Sequence, residues 1–280
     1  MRAVPTTGPG TATEIARQAI LTDPDLIVAV GGDGTINEVA NGMVFSHIPL
    51  AVLPAGTANV LAMELGFGNR IEKAARMIRE CAPERVSVGQ VHTHLGSRYF
   101  LMMAGAGLDA RIVYDVNAGV KGRLGKLAYW AAGFSMVGRR VSQLDAVFNG
   151  TTHRCGFALA SRVKNYGGDL TIASNASLLE HDFEVVTFQG HHASRYLIHL
   201  VGVLTKSLGR FPGVHIDRAR RIELRNPADQ RVYVQVDGEF AGRLPARVEI
   251  VECALTLLVP ADARQRLGVK VTEALMPATG

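Results

Sequence analysis

Residues 25–30, DLIVAV, form a short and nearly unbroken apolar run, the pattern of a strand buried on both faces of a parallel sheet. A glycine cluster follows, and apolar positions then recur with helical spacing over 36–44. The scheme repeats at once: 48–53 is apolar, PAGT (54–57) reads as a loop, and 58–65 reads as a helix. Helices are also predicted over 12–21 and 72–80; in the latter Ala75 and Ile78 oppose Lys73, Arg76 and Arg79. Consecutive strand–loop–helix units imply right-handed crossovers and a parallel sheet.

From about residue 83 the texture changes. Short alternating runs at 85–91, 99–104, 155–161, 184–189, 221–225, 231–236 and 246–251 are separated by turn residues, as in an antiparallel sandwich. Helical stretches near 122–140 and 194–208 interrupt them. The expected fold is therefore an α/β domain with a parallel sheet over 1–85, followed by a β-sandwich-like domain over 86–260. The tail, 261–280, is helix-like over 261–275 and is expected to pack back on the first domain.

With 280 residues, 48% of them hydrophobic, the chain can bury a substantial core. Its net charge of +5 suits anionic membranes, nucleotides or nucleic acid without choosing among them. Aromatic clusters are short and sit inside apolar segments, which argues against base stacking and hence against nucleic acid. Cys81, Cys155 and Cys253 form no CxxC pair, as expected of free, mostly buried thiols in a reducing cytoplasm. The first twenty residues contain no apolar run of signal-peptide length. The longest apolar stretch, 127–137, is too short to span a bilayer, so any membrane contact is expected from the surface.

The segment GGDGTINE (31–38) lies between a predicted buried strand and a helix. Its glycines permit close backbone approach to a ligand, and the helix N-terminus offers unpaired N–H groups and partial positive charge to phosphate. It lacks the Gly-Lys-Ser/Thr of a P-loop and is no GxGxxG. Asp33 would repel phosphate unless a cation intervened, which suggests Mg²⁺ or its bound water; the plainer reading is a tight turn with Asp33 as a helix cap. PAGTAN (54–59) occupies the same point of the next unit. Two such loops at the carboxyl ends of adjacent strands build a crevice, where Thr57 and Asn59 can donate to phosphate and Gly56 keeps the wall open. TTGPGT (6–11) reads as a helix cap. Far along the chain, RVYVQVDGE (231–239) ends in two carboxylates. On an extended strand Asp237 and Glu239 would face one side, although Asp-Gly is equally a hairpin-turn signal.

Taken together, GGDGTINEVANG (31–42), PAGTANVLA (54–62), AGAGLDA (104–110), KGRLGKLAY (121–129) and VQVDGE (234–239) resemble the diacylglycerol kinase catalytic family, which includes sphingosine kinases and bacterial lipid kinases. The resemblance covers nearly the whole chain. It implies an NAD kinase/lipid kinase-like α/β nucleotide-binding domain, a β-rich lipid domain, and ATP in the cleft between them. By position, Thr6, Gly31, Gly32, Asp33, Gly34, Thr35, Ile36, Asn37, Gly56, Thr57 and Asn59 would hold ATP. Glu239 would be the general base with Asp237 beside it, and Mg²⁺ would be required. The implied substrate is a lipid alcohol such as diacylglycerol, met by a cytoplasmic, peripherally membrane-associated protein; a homodimer is left open. NAD kinase and a catalytically inactive nucleotide- or lipid-binding homologue are the alternatives.

Two departures from the family carry expectations of their own. Family members open with a strand bearing Asn-Pro-x-x-Gly, which would precede Met1, so an upstream start is expected, with the 280-residue form poorly soluble or weakly active. The family's Asp-Asp-Gly-like segment, which holds a structural Mg²⁺, reads here SLLEHD (177–182). Glu180 would then serve as ligand, with the carbonyls of Ser177 and Asp182 as neighbours, and His181 replaces the glycine.

Overall fold

The computed structural model describes residues 2–108, 110, 141–166, 170–227 and 230–266. The predicted helix at 122–140, the apolar run 127–137, the KGRLGKLAY stretch and the tail beyond 266 lie outside the described residues. Along the chain come α1 (Thr11–Ile20), β1 (Ile27–Gly31), α2 (Asp33–Met43), β2 (Leu50–Pro54), α3 (Val60–Glu64), α4 (Ile71–Met77), β3 (Cys81–Thr93), β4 (Gly96–Phe100) and β5 (Met103–Gly107). Then follow β6 (Leu144–Phe148), β7 (Thr151–Cys155), β8 (Phe157–Ser161), β9 (Asn165–Tyr166), β10 (Leu170–Thr171), β11 (Phe183–Phe188) and α5 (Ala193–Leu204). The last elements are β12 (Val214–Ala219), β13 (Arg221–Arg225), β14 (Tyr233–Val236), β15 (Glu239–Arg243), β16 (Ala246–Pro260) and α6 (Ala261–Arg266). Residues 2–7 form no strand.

β1 and β2 pair in parallel, with Gly31 beside Pro54 at their carboxyl ends. β16 then joins the first domain to the second. Its first part pairs with β13, its last part lies parallel to β2 with Leu257 beside Leu50, and β3 runs antiparallel along its length. The predicted strand 246–251 stopped short because the register shifts between Val251 and Leu255, where Cys253 takes a φ of 46°. Before that irregularity burial is mixed; after it 254–260 is continuously buried. This is the change from a one-sided antiparallel strand to a strand covered on both faces.

A second sheet, β12-β11-β8-β5-β14-β15, is antiparallel throughout. Its inner face and that of β3, β6, β13 and β16 share one core, including Phe100, Leu144, Phe183, Val185, Val234 and Val248. Phe100 and Phe183 stack with ring centroids 5.7 Å apart. Gly89 faces Phe100 across the β3–β4 ladder, and a Cβ there would lie 2.1 Å from the ring, so glycine admits the aromatic. On the outer face α5 lays His199 against Phe188, centroids 4.8 Å apart. Of the cysteines only Cys155 is buried and Cys253 is exposed, since the β16 irregularity turns Cys253 outward. No helix among the described residues is long and apolar enough to cross a membrane.

Candidate active site

The two glycine loops meet where β1 and β2 end. A Cβ on Gly56 would lie 2.5 Å from the Gly32 Cα, so this contact requires glycine at position 56. Asp33 opens α2, yet it caps the neighbouring helix: its carboxylate accepts hydrogen bonds from the N–H groups of Val60 (3.1 Å) and Leu61 (3.2 Å) at the start of α3. Asn59, at φ 48°, accepts from the Gly56 N–H at 2.8 Å and donates to the Gly56 carbonyl at 2.9 Å. Its buried carboxamide therefore shapes the loop. Gly56 and Thr57 stay exposed at the rim. Thr35 packs over Gly31, where a Cβ would approach the Thr35 Cβ to 2.7 Å.

Ile36 and Asn37 turn away from the crevice. The Ile36 side chain is buried in the core. Buried Asn37 accepts from Asn41 at 3.2 Å through its Oδ1, and its Nδ2 has no partner. Asn41 clasps β4, accepting from the Tyr99 N–H (3.0 Å) and donating to the Tyr99 carbonyl (2.9 Å). Thr6 is exposed, just before a turn that Glu38 anchors. The Glu38 carboxylate accepts from the N–H groups of Gly10 (2.7 Å) and Ala12 (3.1 Å). Glu38 was visible inside the first motif, but nothing in its spacing announced this contact.

Asp237 and Gly238 form the two-residue turn between β14 and β15, with φ 48° and 82°, the positive pair such hairpins demand. Asp237 and Glu239 consequently part company instead of converging from one strand face. The buried Asp237 carboxylate accepts from three consecutive amides, Leu101 (3.0 Å), Met102 (3.1 Å) and Met103 (2.8 Å), pinning the turn between β4 and β5. Burial pushes Asp237 up to about 6, against the pull of those amides. Glu239 faces the other way, its side chain 40% exposed and paired with Arg98 of β4. Its Oε1 lies against Gly34, where a Cβ would be only 2.7 Å away. The carboxylate thus reaches the phosphate-type loop from the opposite domain. Arg98 carried no motif and was missed in the sequence.

The 177–182 turn, where the sequence suggests a structural Mg²⁺, is held by two arginines. Arg162, fully buried, donates through its guanidinium to the carbonyls of Ser87, Leu178 and Glu180. Arg218 grips Asp182 through two hydrogen bonds of 2.8 and 2.5 Å. The Ser177 carbonyl accepts from the Glu180 N–H at 3.2 Å, and the Glu180 side chain is exposed. The two guanidinia take the Leu178 and Glu180 carbonyls and the Asp182 carboxylate. Among the described residues no group of three or more His, Cys, Asp or Glu side chains could hold a metal. Burial lowers Arg162 to about 10, so it remains charged at neutral pH.

The family model described as the diacylglycerol kinase catalytic domain matches residues 1–91. The YegS C-terminal NAD kinase beta sandwich-like domain matches residues 102–259. Among similar proteins, a diacylglycerol kinase of Bacillus subtilis (strain 168) is 29% identical over 275 residues, covering 94% of this chain and 86% of the relative. A diacylglycerol kinase of Staphylococcus saprophyticus is 27% identical over 264 residues, covering 91% and 83%. The crystal structure of a diacylglycerol kinase from Bacillus anthracis str. Sterne superposes with a TM-score of 0.71 at 21% identity, over 92% of this chain and 85% of that one. Paired glycine loops, a carboxylate reaching them from a β-sandwich, and matches spanning both halves lead to one statement: the chain belongs to the diacylglycerol kinase catalytic family of lipid kinases.

Proposed function

We propose that the cleft transfers the γ-phosphoryl group of ATP to the hydroxyl of a lipid alcohol, diacylglycerol or a close relative, with Glu239 as general base. The observation that carries this reading is the approach of Glu239 Oε1 to Gly34, at the N-terminus of α2. Phosphates seated on that helix end would meet unpaired N–H groups and partial positive charge, with Gly31, Gly32, Gly34, Thr35, Gly56 and Thr57 forming the wall. The lipid oxygen attacks the γ-phosphorus as the bond to the β-phosphate oxygen breaks. Its proton passes to Glu239, and ADP leaves. Arg98 holds Glu239 Oε2, leaving Oε1 to receive that proton. A positioned carboxylate of this kind contributes about 10²–10⁴ in rate.

Bound Mg²⁺ would neutralise charge on the transferring phosphates. Asp33 fits it through water, because each of its oxygens accepts one amide hydrogen bond and retains a lone pair. Its attachment to α3 would then fix the metal-facing edge of both loops together. The substrate class is favoured by the similar proteins, which carry the name diacylglycerol kinase, and the lipid would be met at the cytoplasmic membrane surface. The test is incubation with radiolabelled ATP, Mg²⁺ and a mixed lipid extract, followed by mass spectrometry of labelled product. Label in the organic phase on a lipid phosphomonoester is expected; ATP binding with no labelled lipid would overturn the reading.

A further inference from the structure

α5 presents two unlike faces. Tyr196, His199 and Val203 are buried against the outer face of the second sheet, where Phe188 meets both Tyr196 and His199. Gly202 admits the Phe211 ring, which a Cβ would approach to 2.8 Å. On the opposite side Ile198, Val201 and Leu204 are 54%, 51% and 62% exposed. Their spacing of three places them on one stripe. Single exposed apolar residues need no explanation, but three in line on a helix whose other face is already seated call for an occupant.

The charge around the stripe narrows the choice. Arg195 precedes Ile198 by one turn, and Lys206 and Arg210 follow Leu204. No Asp or Glu occurs anywhere from 189 to 216. An apolar stripe with cations at both ends and no acid in its own segment is the composition of a helix lying in the plane of a bilayer. There its apolar face enters roughly 5–10 Å and its cations meet anionic headgroups. We propose that α5 is the element by which this protein docks on an anionic membrane surface. The inference rests on the lipid kinase reading for its purpose, since a water-insoluble substrate must be collected from a bilayer. The surface itself is identified from exposure and charge alone.

The experiment compares the full chain with Val201→Asp/Leu204→Asp in sedimentation with phosphatidylglycerol–phosphatidylcholine vesicles and with phosphatidylcholine alone. The protein should prefer anionic vesicles and release them as salt rises. The variant should lose roughly tenfold or more in partitioning with an unchanged thermal midpoint, because both sites are exposed. Turnover of a dispersed, short-chain lipid alcohol should be retained while turnover of vesicle-borne lipid falls. Vesicle binding within twofold of wild type would overturn the proposal. So would a variant that dissociates a dimer in light scattering while still binding vesicles, which would assign the stripe to a second copy of the chain. Loss of vesicle binding by the variant of a protein that phosphorylates no lipid would uphold α5 docking and defeat the kinase reading, so the two can fail separately.

Discussion

The cleft around Gly34 and the turn at 177–182 both offer carboxylates beside backbone oxygens or amides, but the nearest guanidinium is used differently in each. In the turn, Arg162 is wholly buried and donates to three carbonyls, while Arg218 takes both oxygens of Asp182. There the guanidinia serve the backbone and one carboxylate, and the region is a structural clamp. In the cleft, Arg98 takes one oxygen of a half-exposed Glu239 and leaves the other over the glycine loop. An oxygen left over the glycine loop is positioned to accept a proton, whereas the arginines of the turn are spent on holding it. The two regions are nonetheless linked: the Arg162 N–H donates to the Met102 carbonyl at 2.7 Å, and the Met102 N–H bonds Asp237, two residues before Glu239.

The comparison breaks most visibly at Arg162. Arg162→Met should cost about 3–5 kcal/mol in chemical denaturation, because the carbonyls of Ser87, Leu178 and Glu180 lose their donor. A loss below about 1 kcal/mol would mean the turn is not held by the guanidinium. Gly34→Ala tests the other side. Its Cβ would displace Glu239 Oε1, and a misplaced base should lower kcat about 10²-fold while the thermal midpoint stays within a few degrees. Near-normal turnover would show that Glu239 does not work at that position.

Asp237 sharpens the link between the regions. Its native pKa, about 6, lies above its ordinary value of 3.8, so the native state holds its proton more tightly than the unfolded chain. The stabilisation tied to that proton is complete below pH 4 and is lost as pH rises through 6. The stability advantage of wild type over Asp237→Asn should therefore widen by roughly 1–3 kcal/mol on acidification from pH 7 to pH 4, read from urea midpoints. A constant difference would contradict it. The smallest effect is the sharpest contrast: chelating Mg²⁺ should leave the thermal midpoint unmoved while abolishing turnover. A large drop in the midpoint would mean that a metal, not Arg162, holds the fold.

Local pattern made much of this legible. The apolar runs at 25–30 and 48–53, each followed by a glycine loop, predicted β1 and β2 and placed the crevice. The β-sandwich followed from the alternating segments after residue 83. What stayed hidden depended on partners distant in sequence. β16 was cut short because its strand type changes at the Cys253 irregularity. Arg98 belongs to no motif, and its importance exists only once β4 lies beside the β14–β15 hairpin. Arg162 left a faint trace, a lone arginine directly after the buried FALAS of β8. The backbone hydrogen bonds of Asp237 and Asn59 stayed hidden for one reason. Short polar side chains in turns serve the backbone as readily as they serve a ligand, and only hydrogen-bond geometry decides between the two.

The central claim is that Glu239 takes the proton of the lipid hydroxyl. Its most direct test is single-turnover transfer from radiolabelled ATP to dispersed diacylglycerol by wild type and Glu239→Gln, with nucleotide affinity measured in parallel. The account predicts transfer slowed about 10²–10⁴-fold at unchanged ATP affinity and unchanged thermal midpoint. Transfer by the variant at close to the wild-type rate would contradict it.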